Sequence, residues 1–513
     1  MNKSKTLWIA RNIWVFAILL CILLAGKPQK AAAEDTQKDF TGWIPISIAD
    51  DMQKLKHNQE GSKYYLAKNI DMSRYGYWYG STFQGTFDGN GHCIKNLTSL
   101  ENGLFSELLE GAEVKNLRLV NVNIRVSGDG SGSIYLGGIA EKCAGKISNC
   151  AVSGDITCDN PTNLGGKESW VYVGGIVGSG GKIENCINEA TVKGTGSCAY
   201  VGGIAGRGNN ISNCCNFGQY SIDNSGFLHY SNSIDYYDFA GGIAGTCSAI
   251  SNCYSNGNGS IQYGTYADKN ATYALGGLVG YADKWAEIFG GYYFEWNEGK
   301  IDSLYKPIRL FDTDRSKKSS YSGWDFDTVW MLNKGINGGY PIPKWYLPYI
   351  KINAPYANMQ SGTYNENFTV ELSTEAENAK MYYTTDGTKP TNLSKQYTGS
   401  IPVDHNMALK VMMVVDGSYH SGVSTYTYKV RCAPPKANYQ DGKRFKSSAK
   451  IKLSTAEKNA AIYYTTDGTK PTEQSKKYQG TITLRKSTVL KAVTIKSGKS
   501  KSKVISMHYV VEN

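Results

Sequence analysis

The sequence predicts an all-β chain: a parallel β-helix over residues 34–350, then two β-sandwiches over 351–431 and 432–513. Three observations predict it. A short glycine-led unit recurs through the middle of the chain with elastic spacing. A ten-residue stretch near the C-terminus recurs at an offset of 81 residues. The 57 glycines and 37 tyrosines, against 13 prolines, suit short strands and tight turns better than helices.

Residues 1–33 read as a signal peptide rather than part of the fold. Lys3, Lys5 and Arg11 make a positive start, Ile13–Gly26 is apolar, and Ala31-Ala32-Ala33 offers a small-residue cleavage site. The apolar run is shorter than the roughly 20 residues that cross a bilayer, and no later segment is long and apolar enough. The expectation is a secreted chain with no membrane span once cleaved. The C-terminus, Tyr509-Val510-Val511-Glu512-Asn513, shows no covalent wall-sorting motif, so retention at a bacterial cell surface would be noncovalent.

The central repeat is plain. Gly137-Gly138-Ile139-Ala140 precedes Ile147-Ser148-Asn149-Cys150, and Gly174-Gly175-Ile176-Val177 precedes Ile183-Glu184-Asn185-Cys186. Gly202-Gly203-Ile204-Ala205 precedes Ile211-Ser212-Asn213-Cys214, and Gly241-Gly242-Ile243-Ala244 precedes Ile250-Ser251-Asn252-Cys253. A degenerate copy starts at Gly276-Gly277-Leu278-Val279. The first glycines lie 37, 28, 39 and 35 residues apart, as expected of one supersecondary turn repeated with loops of variable length. Strands of successive coils then bond above and below. Paired glycines fit close corners, and the asparagine fits a left-handed turn that stacks into a ladder.

Ile94-Lys95-Asn96-Leu97 and Val114-Lys115-Asn116-Leu117 read as two earlier coils, with leucine in the slot that cysteine fills later. Cys150, Cys186, Cys214 and Cys253 are therefore a stacked core row of small apolar residues. No Cys-x-x-Cys pair occurs and no second ligand recurs beside the row, so neither a metal nor a cofactor is expected.

These units resemble the GLUG motif of bacterial cell-surface proteins. The entry segment, with Phe83-Gln84-Gly85-Thr86-Phe87-Asp88-Gly89-Asn90-Gly91-His92 and Gly111-Ala112-Glu113-Val114-Lys115-Asn116-Leu117, is similar to the right-handed β-helix that fronts IgA-cleaving peptidases. The resemblance covers roughly residues 42–350 and implies a right-handed solenoid. It does not extend to the peptidase: no His-Glu-x-x-His occurs, and the six histidines stand far apart. Such a solenoid needs capped ends. Ala49–His57, with Ser47 or Asp50 as helix start, is the expected near cap. The aromatic-rich residues 301–350 are the far one.

At the C-terminus, Tyr382-Tyr383-Thr384-Thr385-Asp386-Gly387-Thr388-Lys389-Pro390-Thr391 reappears from Tyr463 to Thr472. Each copy is sandwich-sized, and Asp-Gly after the strand marks a tight turn. The turn accounts for Asp386 and Asp467 without assigning them to catalysis or calcium. The pattern resembles the chitobiase/β-hexosaminidase C-terminal domain. That resemblance implies two immunoglobulin-like accessory modules without catalytic residues. Residues 432–435 are too short for a floppy linker, so the sandwiches are expected to sit end to end.

From Ala433 onward the chain has 17 Lys/Arg against 5 Asp/Glu, whereas residues 34–432 carry a net −6. A basic module on an acidic body points to an anionic partner, such as a cell-wall polymer, for residues 433–513. No phosphate loop, nucleotide fingerprint or Ser-His-Asp constellation is visible, and no nucleic acid is expected as a partner. Asp88, Asp155 and Glu184 are scattered, unlike the paired carboxylates of a glycosidase. Binding is the favoured function. Tyr75, Tyr77, Trp78 and Tyr79 form the densest aromatic cluster. Tyr230, Tyr236, Tyr237, Tyr263 and Tyr266 lie in or beside long inserts of recognition-loop composition. These residues are the candidates for contact with a glycan or a host surface protein. A carbohydrate-active enzyme and a pure spacer are the alternatives.

Overall fold

A computed structural model describes residues 38–160, 169–225, 236–263, 271–294, 308–310 and 314–512, so the expected signal peptide, residues 1–33, lies outside the described residues. The chain forms two compact units: Asp35–Leu332 with Gly339–Leu347, and Asn333–Gly338 with Pro348 onward.

The first unit is a parallel β-helix of three sheets. A representative rung runs Gly132–Gly137 in the third sheet, Ala140–Ser148 in the first and Ala151–Asp159 in the second. Third-sheet strands stack in step: Gly137 faces Gly174, then Gly202, Gly241 and Gly276. The first glycine of every pair thus closes a strand. A Cβ at Gly202 would lie 2.0 Å from the Ala205 carbonyl oxygen, and one at Gly241 2.0 Å from that of Ala244. The corner turns too tightly for any side chain there. Ile139, Ile176, Ile204 and Ile243 follow, buried. Ile147, Ile183, Ile211 and Ile250 then stack in the first sheet. Asn149, Asn185, Asn213 and Asn252 turn the next corner with φ of 52°, 55°, 53° and 53°. That left-handed geometry is one asparagine tolerates.

One expected equivalence is corrected. Val114 stacks beneath Ile147, and Asn149 donates its amide to Asn116 Oδ1 at 3.1 Å, so Leu117 does occupy the cysteine slot. Ile94 instead stacks with Ile70 and Leu119 in the second sheet, and Asn96 accepts from Asn121 at 2.7 Å. The two Lys-Asn-Leu segments turn different corners. Both corners need a left-handed asparagine followed by a buried apolar residue, so sequence alone does not separate them.

The near cap is a 3-10 helix at Ala49–His57 burying Met52 and Leu55. Its start is held by neither Ser47 nor Asp50: the Asp51 carboxylate accepts the Ser47 and Ile48 backbone N–H groups at 2.7 and 3.2 Å. At the far end Trp324 and Trp330, 4.3 Å apart, pack against Tyr254 and Tyr292.

The second unit holds two immunoglobulin-like sandwiches. In the first, a larger sheet runs Gly362–Tyr364, Ser424–Val430, Met407–Val415, Ala379–Thr384 and Lys395–Gln396. A small antiparallel pair, Phe368–Val370 with Ile401–Val403, packs beside it. The second sandwich repeats this, its small pair being Ala449–Ile451 with Ile482–Leu484. The two are locked end to end. Asn406 N–H donates to Gly498 O at 2.7 Å, Ser500 N–H to Val430 O at 2.8 Å, and Cys432 N–H to Ser500 O at 2.9 Å. The Lys499 ammonium, 5% exposed, reaches Glu457 at 3.0 Å and Asn367 at 2.8 Å.

Candidate functional site

Third-sheet strands alternate, although Cys198 and Phe239 on the outer side are covered. Val171, Val173, Ala199 and Val201 point into the core, so their neighbours point outward. The outward residue two places before each glycine pair is aromatic in four successive rungs: Tyr135, Tyr172, Tyr200 and Phe239, in direct register. Tyr135 and Tyr172 stack at 5.0 Å between centroids, as do Tyr172 and Tyr200 at 5.0 Å. Phe239 continues the row 5.3 Å from Tyr200 and is covered by Tyr281. Trp170 and Tyr237 flank the row on the same face, Trp170 lying 6.1 Å from Tyr200 and 6.4 Å from Tyr237. The Lys142 ammonium sits 4.8 Å over Tyr135.

Rungs stacked at the β-sheet spacing bring these rings together, and near-parallel planes make Tyr135, Tyr172 and Tyr200 overlap like shingles, while Phe239 is tilted by 48° against Tyr200. Burial pushes the Tyr172 hydroxyl above its ordinary range, and burial beside neighbouring phenols pushes Tyr200 further. Both stay neutral donors at physiological pH. The result is an aromatic strip edged with neutral hydroxyls and a cation at one end.

The predicted binding residues lie in different places. Trp78 is buried, its indole N–H donating to Leu104 O at 2.8 Å, with the Lys56 ammonium 4.9 Å over its ring. Tyr75 packs 6.2 Å from Trp78 and bonds Gln53 through its hydroxyl. Tyr77 and Tyr79 are exposed. Tyr237 belongs to the outward strip. Tyr236 opens the strand Tyr236–Gly241, and Tyr263 closes Gly259–Tyr263. Tyr230 and Tyr266 fall outside the described residues. Sequence reasoning missed Tyr135, Trp170, Tyr172, Tyr200 and Phe239. The signal that reveals all but Trp170 is the recurring aromatic-x-Gly-Gly, at Tyr135-Leu136-Gly137-Gly138, Tyr172-Val173-Gly174-Gly175, Tyr200-Val201-Gly202-Gly203 and Phe239-Ala240-Gly241-Gly242.

Cys150, Cys186, Cys214 and Cys253 are all fully buried. Cys186 N–H donates to Cys214 Sγ and Cys214 N–H to Cys253 Sγ, each at 3.3 Å. Burial with no facing cation pushes the Cys150 and Cys214 thiols well up. A second ladder was not foreseen. Asn188 donates its amide to Asn216 Oδ1 at 2.8 Å, and Asn216 to Ser255 Oγ at 3.3 Å, inside the core. Among the described residues no group of three or more His, Cys, Asp or Glu is placed to hold a metal, and no helix is long and apolar enough to cross a membrane.

Two of the scattered carboxylates, Asp88 and Glu184, are occupied by structure. Asp88 accepts from Lys38, the Asn90 backbone and Asn116, and Glu184 pairs with Lys146 at 2.9 Å. Asp386 and Asp467 each accept from the backbone and hydroxyl of the threonine two residues on, at 3.0 and 2.6 Å. Those bonds hold both carboxyls below the usual range. Glu141 differs: burial raises it to about 7, opposed by Lys142 and helped by Glu101 and Glu107.

A family model described as the chitobiase/beta-hexosaminidase C-terminal domain matches residues 359–427 and again 440–506. The two sandwiches are therefore chitobiase-type C-terminal domains. No curated protein matches the chain. Among solved structures, the CbhA fibronectin(III)-like modules of Clostridium thermocellum are similar over 31% of this chain and 94% of theirs, at 10% identity and TM-score 0.14. A chimeric titin Z1Z2 is similar over 31% and 98%, at 12% identity and TM-score 0.14. The BSP domain of a biofilm associated protein is similar over 31% and 29%, at 13% identity and TM-score 0.12. At these scores the likenesses carry no functional argument.

Proposed function

We propose that this chain is an exported surface protein that binds a glycan or a host protein along the outward aromatic strip of its β-helix. The two chitobiase-type domains serve as spacer or tether. One observation carries the reading: successive rungs place Tyr135, Tyr172 and Tyr200 in one outward register beside Trp170 and Tyr237. A core needs nothing of the kind on its outer face. Aromatic surface with hydroxyl edges suits sugar rings and protein contacts alike. The resemblance of the central glycine-led units to the GLUG motif of bacterial cell-surface proteins is in keeping with display outside the cell.

The test is a glycan array with a host-protein panel, comparing the natural chain with Tyr172→Ala/Tyr200→Ala. The variant is expected to lose at least about tenfold in affinity, about 1.4 kcal/mol, while its circular dichroism stays unchanged. A ligand held equally well without both rings sinks the proposal.

Glu141 favours a second reading, a glycan-cleaving site. It keeps its proton near neutrality, as a general acid must, and its neighbour Lys142 lies over the first ring of the strip. Product formation from a bound glycan, abolished in Glu141→Gln, decides between the two.

A further inference from the structure

The two sandwiches are copies of one fold with opposite surfaces at one place. In the first, the outward side chains of the small strand pair are Asn367, Thr369 and Glu371 on one strand and Ser400, Pro402 and Asp404 on the other. In the second, the same six positions hold Ser448, Lys450, Lys452, Thr481, Thr483 and Arg485. All are exposed. The face changes from two acids and no base to three bases and no acid.

The fold does not require that change. The inward residues of this pair stay apolar in both copies: Val370, Ile401 and Val403 against Ile451, Ile482 and Leu484. Charge has been exchanged only where solvent meets the sheet. Among the described residues, no ion pair engages Lys450, Lys452 or Arg485, whereas Lys499, Lys501 and Arg444 of the same sandwich pair with Glu457, Glu473 and Glu512.

From this face we infer a docking surface for a linear acidic polysaccharide in the second sandwich. Lys450 and Lys452 stand two strand residues apart, roughly 6.8 Å along the strand. Arg485 lies across the pair, next to Leu484, which faces Ala449. The cations are spread along the sheet rather than converging on one point, so they fit single negative charges recurring along a chain better than one compact phosphate. Ser448, Thr481 and Thr483 interleave hydroxyls that can bond sugar hydroxyls. The six positions include no aromatic ring on which a nucleobase could stack and no apolar side chain to enter a bilayer. A neutral polyhydroxyl chain would leave the three cations unused. The inference is independent of the aromatic strip.

The experiment uses the full chain and polygalacturonate as probe, with Lys450→Thr/Lys452→Glu/Arg485→Asp as the variant. These substitutions install residues that the first sandwich already folds with at the same positions. Retained circular dichroism and thermal transition confirm folding. Expected are binding that weakens steeply with salt and at least a tenfold loss in the variant. Tyr172→Ala/Tyr200→Ala should bind the probe normally, which separates this face from the strip. Equal binding by the charge variant overturns the inference. So does tighter binding to anionic phospholipid vesicles or to single-stranded DNA than to polygalacturonate.

Discussion

Gly203→Ala puts the glycine corner to a quantitative test. A Cβ at Gly203 would lie 2.2 Å from the Gly242 carbonyl oxygen and 2.3 Å from Asn216 Cγ. The first is backbone of the next rung and cannot swing aside. The second belongs to a fully buried amide that accepts from Gly218 N–H at 3.1 Å and donates to Gly218 O at 3.0 Å. Overpacking of a dense core costs about 1–3 kcal/mol, and a buried polar group stripped of its partner about 1–3 kcal/mol more. Taken together the substitution should cost about 4 kcal/mol, close to a thousandfold in an opening equilibrium. A stacked solenoid need not unfold in two states, so the local readout is hydrogen exchange by mass spectrometry. Peptides spanning 198–218 should exchange about a thousandfold faster, and peptides spanning 461–495 should not change. Gly480→Ala is the control, because nothing lies within 4 Å of its Cβ. Exchange in Gly203→Ala within threefold of the natural chain would refute the close-packed corner.

Asp238 gives a pH prediction. Burial raises its carboxyl to about 7, against bonds from Asn224 and the Ala199 backbone that lower it. A carboxyl raised in the folded state favours folding below its unfolded pKa, and that contribution is lost as pH rises toward 7. The rung should therefore be better protected at pH 5 than at pH 8, and Asp238→Asn should flatten that difference. Breaking the Lys499–Glu457 pair by Lys499→Met should destabilise the second sandwich by about 3 kcal/mol. Lys499→Met/Glu457→Leu should cost clearly less, as urea unfolding of both variants will show. Lys499 holds Glu457 below its usual range despite burial, so the pair's contribution should fade as pH drops below the carboxylate range. Finally, all eleven described cysteines are buried. They should resist iodoacetamide in the native chain and react fully in denaturant without reductant.

The repeat was legible because the residues that turn corners are chemically restricted. Only glycine fits where a Cβ would lie 2.0 Å from a carbonyl oxygen, and asparagine is a side chain that settles at φ near 53°. The duplicated sandwich was legible for a similar reason, since the Asp-Gly-Thr turn ties its own backbone in both copies. The equivalence of Ile94–Leu97 with Val114–Leu117 failed because both corners impose the same chemistry, and only strand pairing distinguishes them. The aromatic strip was harder to see. A tyrosine two residues before a glycine pair looks like ordinary strand composition until register stacks it on the next rung. Trp78 shows the converse: a dense aromatic run suggests a surface, yet its indole is held by a buried carbonyl. Clustering along the chain does not report which face a ring occupies.

Register between rungs carries the β-helix and its aromatic strip, and an engineered crosslink reads it directly. Lys193 and Ser221 are paired residues of neighbouring second-sheet strands and both are part-exposed. Adjacent strands place such Cα atoms about 4.8 Å apart, within disulfide reach. Lys193→Cys/Ser221→Cys should close an intramolecular disulfide under mild oxidation, while Lys193→Cys/Asp223→Cys, shifted two residues along the strand, should not. Equal or preferred closure of the shifted pair would contradict the stacking from which the aromatic strip is built.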